Sequence, residues 1–109
     1  MKNRSEAEIL KAVMVEASRL GMRVFRNNVG LFETADGRKI KTGLFKGSGD
    51  LIGWYKGTFV SIEVKRKGGK PSKEQINWHN QVLASGGFSC IIDDQKKLKK
   101  MLTDYIEMR

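Results

Sequence analysis

From Arg4 to Leu20 the apolar residues Ile9, Leu10, Val13, Met14, Ala17 and Leu20 recur at helical spacing, and Gly21 follows as a C-terminal cap. The first element is therefore a helix with one inward stripe. MRVFRN reads as a strand, and VGLFETADGRKIKTGLF carries Asp36-Gly37 as a hairpin signal between two weakly alternating arms, expected to project as a mobile ribbon. DLIGWY and TFVSIEVK are two further strands joined at Lys56-Gly57. Pro71-Ser72 opens a second helix in which Ser72 and Gln75 fit a capping box, and Gly86-Gly87 ends it. FSCII is a buried strand, after which Asp93 is expected to cap a last helix with Leu98, Met101, Leu102, Tyr105 and Ile106 on one side.

A two-residue turn at Lys56-Gly57 pairs Tyr55 with Thr58 and, carried down the arms, sets Asp50 directly opposite Glu63. Directly opposed residues hold their Cβ atoms roughly 4.5 to 5.5 Å apart, too close for two uncompensated carboxylates. Lys65, Ser61, Trp54 and Ile52 share that face; Leu51, Tyr55, Val60, Ile62 and Val64 take the other. Both faces are largely apolar, which predicts a sheet with helices on each side, a layered α/β architecture.

At 109 residues the chain is expected to form one domain, residues 1–109, with no repeat or low-complexity tract. Lys and Arg number 21 against 12 Asp and Glu, a formal charge of +9, which favours a polyanionic partner: nucleic acid first, an anionic membrane surface second. No apolar run approaches a membrane span, and the polar start MKNRSEAEIL does not suit a signal peptide, so a cytoplasmic, soluble protein is expected. Cys90, the single cysteine, cannot form an internal disulfide and is read as a small buried residue.

Against this background the carboxylate pair acquires a chemistry. Two carboxylates with room for water are what Mg²⁺ prefers, and such an ion acidifies water and neutralises charge on a phosphate. Lys65 beside them can orient water or stabilise a pentavalent transition state, so Asp50, Glu63 and Lys65 point to phosphodiester hydrolysis. Taken alone, E-x-K is a common surface tripeptide; opposition to Asp50 in a basic chain is what turns the balance. The following run Arg66, Lys67, Lys70 and Lys73, interrupted by Gly68-Gly69, is placed to hold phosphates, and Arg23, Arg26, Asn27 and Asn28 widen that surface. Lys96, Lys97, Lys99 and Lys100 read as a solvated helix face, and Trp54, Trp78 and Tyr105 as core or dimer contacts.

These residues resemble the PD-(D/E)XK nuclease core and, within it, the virus-type replication-repair nuclease (VRR-NUC) branch. The resemblance runs through SEAEIL, the RNN-x-G segment at 26 to 30, KGSGDL and the IEVKRKGGKPSKEQ block. It implies a restriction-endonuclease-like mixed β-sheet flanked by helices in the order αβββαβα. It further implies metal-dependent DNA cleavage with Mg²⁺, replaceable by Mn²⁺, and a homodimer acting on branched DNA such as Holliday junctions. The proline that usually precedes the aspartate is Gly49 here, which is expected to loosen the backbone. The resemblance also implies an acid on the first helix as a third metal ligand. Glu6 shares the inward stripe and is preferred; Glu8 also qualifies by type, and for either the alternative is a favourable acid in a first helical turn. Gln75 matches the polar residue of the second helix, a role expected to compete with capping, and the main-chain carbonyl of Val64 is a further candidate ligand.

Other chemistries fit poorly. His79 is the only histidine, no G-x-S-x-G elbow is present, and GSGD precedes a strand where a nucleotide-binding loop would open a helix, so no nucleotide cofactor is expected. A non-catalytic basic nucleic-acid-binding module explains the charge equally well but has no use for the opposed acids.

Overall fold

A computed structural model describes residues 3–109; Met1 and Lys2, the start of the polar N-terminus, lie outside them. Helix α1 (Glu6–Arg19) is followed by β1 (Arg23–Arg26), β2 (Gly30–Glu33), β3 (Lys39–Thr42), β4 (Leu51–Tyr55), β5 (Thr58–Val64), α2 (Lys73–Ala84), β6 (Phe88–Ile92) and α3 (Lys96–Glu107). Strands β1, β4, β5 and β6 form one sheet in the order β1-β4-β5-β6, antiparallel except for the parallel β5–β6 pair, whose crossover contains α2. With β2 and β3 set aside as a separate two-stranded sheet, the core elements run αβββαβα, as expected.

Local chemistry accounts for the boundaries. Ser5 caps α1, its hydroxyl accepting from the Glu8 N–H while the Glu8 carboxylate accepts from the Ser5 N–H. Glu8 is thus committed to the cap. Ser72 and Gln75 repeat the device at α2. The turn between β4 and β5 has Lys56 and Gly57 both at positive φ, 48° and 79°, the backbone of a tight hairpin that matches strand twist. The β2–β3 loop is one residue longer than Asp-Gly alone suggests, since Thr34 and Arg38 close around Ala35-Asp36-Gly37 and Gly37 supplies the positive φ. The expected Asp93 cap is not formed. Gln95 stands at the start of α3 without a side-chain cap, Asp93 pairs with Lys97 at 2.7 Å, and Asp94 accepts from the Lys96 N–H.

One side of the sheet is closed by α1 and α3. Ile9, Val13, Ala17, Leu98 and Leu102 bury Leu51, Val60, Ile62, Val64, Phe88, Cys90 and Ile92, each large side chain contributing about 1.5–3 kcal/mol. Burial also pushes the Cys90 thiol up to about 12, so it stays protonated and inert. Tyr105 packs against this core, whereas Ile106, expected on the same stripe, is 48% exposed. The opposite side carries only α2, which lies over β5 and β6 and is tied to them by hydrogen bonds: Trp78 Nε1 to Ser61 Oγ and His79 Nδ1 to Ser89 Oγ, both 2.8 Å. Over β1 and β4 that side has no helix. Trp54 is therefore no core residue: it stands 51% exposed beside Phe25, ring centroids 5.7 Å apart, with Phe59 also exposed.

Candidate metal and phosphodiester site

The β4–β5 register sets the site. Leu51 faces Ile62 and Tyr55 faces Thr58, so one further step places Asp50 against Glu63, as the turn chemistry predicts. At that step the ladder changes partner. The Val64 N–H donates to Asp50 Oδ2 at 2.8 Å, fixing the carboxylate at the strand end. Glu63 is buried; its Oε2 accepts from Gln75 Nε2 at 2.8 Å and lies 3.4 Å from Lys65 Nζ. Its Oε1 is buried with no hydrogen-bond partner.

An unpaired buried carboxylate oxygen is costly, and the charge responds accordingly. Burial first and the Asp50 charge second push Glu63 up to about 7, while Lys65 pulls in the other direction. Lysine and glutamine together do not neutralise two acids. The donor set is all oxygen, hard, and short of one positive charge, which fits a Mg²⁺- or Mn²⁺-sized cation that Asp50 and Glu63 would hold.

The loop that delivers Asp50 is fastened on three sides. Asn27 is buried; its Nδ2 donates to Ser48 Oγ at 2.7 Å and to the Gly49 carbonyl at 2.8 Å, and its Oδ1 accepts from the Leu44 N–H at 2.9 Å. The Asn27 N–H in turn donates to the Asp50 carbonyl at 2.8 Å. Gly49 does not loosen this backbone. A Cβ there would overlap Ser61 Oγ and press on the Ile62 main chain at 3.0–3.1 Å, so the chain passes β5 at a distance only glycine permits.

Several expectations change with these contacts. Asn27, expected on a DNA surface, spends its whole amide on the loop and acts as a positioning residue. No sequence signal marked it beyond its place in RNN, because its partners lie 17 to 22 residues further on. The two roles of Gln75 do not compete: Oε1 accepts from the Ser72 N–H at 2.8 Å while Nε2 serves Glu63. Glu6 is exposed in the first turn of α1, and among the described residues no three acidic, histidine or cysteine side chains are grouped to hold an ion, so Glu6 does not join Asp50 and Glu63. Arg26, Asn28, Arg66, Lys67, Lys70 and Lys73 are exposed, and none of these cations is in an ion pair among the described residues. His79 is a structural residue, its pKa lowered by burial.

The sequence matches no family model and no curated protein. Among solved structures, a VRR_NUC domain superposes with a TM-score of 0.63 over 93% of this chain and 97% of that one, at 21% identity. The fold is that of a VRR_NUC domain. The likeness spans nearly all of the chain, and the four-stranded mixed sheet with its flanking helices is the restriction-endonuclease-like core that the resemblance in the sequence implies. In this chain the end of β5 is where Glu63 and Lys65 meet Asp50.

Proposed function

We propose that this chain is a metal-dependent, structure-specific DNA endonuclease that hydrolyses phosphodiester bonds at branched DNA such as Holliday junctions. In this reading it acts as a homodimer in the cytoplasm, with Mg²⁺ or Mn²⁺ as cofactor. The observation that carries the reading is the buried, partnerless Oε1 of Glu63 beside Asp50. Asp50, Glu63 and the Val64 carbonyl would hold the ion, whose chemistry is acidification of water and neutralisation of phosphate charge. Lys65, anchored on Glu63, would supply a point charge to the phosphate and the attacking water. Gln75 keeps Glu63 aimed. Arg26, Asn28, Arg66, Lys67, Lys70 and Lys73 supply phosphate contacts around the site.

Dimerisation has a surface available to it. The side of β1 and β4 that lacks a helix offers Phe25 and Trp54, next to Phe59 of β5, and Arg23 is the one charged residue that these two strands put on it, so two chains of charge +9 would meet there with few like charges apposed. A helix long and apolar enough to cross a membrane is absent among the described residues.

Cleavage of labelled duplex, flap, fork and four-way DNA, in Mg²⁺ and in EDTA, tests the activity. Metal-dependent products with a preference for branched substrates are expected. DNA binding without cleavage in either buffer would leave the basic binding module as the correct reading. Lys65→Ala should bind DNA and fail to cut it; full activity in that variant removes the lysine from the mechanism.

A further inference from the structure

The β2–β3 ribbon takes no part in the site as described, yet it is unusually built for an idle surface feature. It forms its own two-stranded sheet, and its side chains are almost all exposed: Leu31, Phe32 and Ile40 are 58%, 59% and 47% accessible. The register pairs Phe32 with Ile40, Leu31 with Lys41 and Glu33 with Lys39. Since directly paired residues share a face, Phe32 and Ile40 form one apolar side and Lys39 and Lys41 stand on the other. Neither lysine is in an ion pair among the described residues. The acid at the tip, Asp36, is already neutralised by Arg38 at 3.1 Å and fixed by the Thr34 hydroxyl.

The base of the ribbon is wired to the catalytic loop. Thr42 Oγ1 donates to the Asn28 carbonyl at 2.9 Å, and the Leu44 N–H donates to Asn27 Oδ1, the side-chain amide that also holds Gly49, while the main-chain N–H of the same residue holds the Asp50 carbonyl. An object held by this arm is therefore held in register with Asp50 and Glu63. A two-stranded ribbon has the width of a DNA major groove, lysines meet phosphates, and apolar side chains lie against bases that are unstacked or unpaired.

We infer that the β2–β3 ribbon is a DNA-binding arm: Lys39 and Lys41 contact backbone phosphates of the arm next to the cut, and Phe32 and Ile40 pack on bases opened at the branch. This rests on the nuclease reading above and adds to it the element that recognises the branch.

The test is binding, measured in EDTA so that cleavage plays no part, of linear duplex and four-way junction by fluorescence anisotropy across a salt series. Lys39→Ala/Lys41→Ala should weaken binding to both DNAs and reduce the slope of log K against log salt by about 2, one unit per lost phosphate contact. Phe32→Ala/Ile40→Ala should leave duplex affinity and slope unchanged and weaken junction binding about tenfold. Because these side chains are exposed, thermal unfolding should match wild type in both variants. Wild-type binding by both variants overturns the ribbon assignment and leaves the nuclease reading intact. Conversion of the Phe32→Ala/Ile40→Ala protein from dimer to monomer in sedimentation also overturns it, by showing that a second copy occupies the apolar side. A wild-type protein that neither binds nor cuts DNA defeats the nuclease reading first, and the ribbon proposal with it.

Discussion

Glu63 holds a carboxylate in a place that favours its neutral form, and the consequence can be read in stability. In the unfolded chain it titrates near 4.5; in the folded, metal-free protein near 7. Between those values the native state keeps a proton that the unfolded state has released, so this residue makes the fold lose stability as pH rises from about 4.5 to about 7, and the loss persists above. Wild type should therefore gain on Glu63→Gln at pH 8 by on the order of 1–2 kcal/mol after allowance for solvent screening, and hardly at all at pH 4, in metal-free denaturant melts. Added Mg²⁺ should stabilise wild type at pH 8 and leave Glu63→Gln nearly unmoved. An equal Mg²⁺ response in the two proteins would place the ion elsewhere. Gly49 makes a second residue-scale prediction. Gly49→Ala should cost about 1–3 kcal/mol from overlap with Ser61 Oγ, and should cost less when introduced into a Ser61→Ala protein, which itself gives up the Trp78 hydrogen bond; the penalty left in that background reports the Ile62 main-chain contact.

At the scale of elements, α2 joins helix capping to site geometry through one side chain. Ser72→Ala and Gln75→Ala should each destabilise the fold by about 1 kcal/mol, since each removes part of the capping box. Only Gln75→Ala strips the Nε2 donor from Glu63, so cleavage should fall in that variant and persist in Ser72→Ala; equal rates would confine Gln75 to capping. The elements themselves were largely legible. Lys56-Gly57 carries enough turn chemistry to fix a register, and that register alone sets Asp50 beside Glu63. Ser72 and Gln75 stand at the spacing a cap needs. What stayed hidden depends on non-local packing. The Asn27 amide finds partners far along the chain, Gly49 is understood only through the Ser61 side chain above it, and Glu6 sits on the helical stripe near Ile9 yet one turn too far into solvent. Alternation placed Trp54 on an apolar strand face correctly, but strand periodicity carries no information on whether a helix will cover that face.

On the scale of the whole molecule the asymmetry of helix cover is the informative feature. Two helices close one side of the sheet and one helix half-closes the other, leaving Phe25 and Trp54 without helix cover and Phe59 part-exposed at the edge of Trp78. A chain with formal charge +9 gains little by leaving aromatic rings in water, and the same charge opposes self-association through most of its surface. A second copy docking on this charge-poor face would resolve both terms and would place two β5 sites in one particle, as paired incisions across a junction require. Trp54→Lys puts a cation into the proposed interface at a position that is already half exposed, so the monomer should still fold, with an unfolding midpoint that no longer rises with protein concentration as the wild-type midpoint does. In sedimentation velocity the variant should run as a monomer at concentrations where wild type is a dimer. On a four-way junction in Mg²⁺ it should nick single strands while losing coordinated cuts on opposite strands. A Trp54→Lys protein that still sediments as a dimer removes this face from the assembly, whereas a monomer that retains coordinated cutting removes the dimer from the reaction.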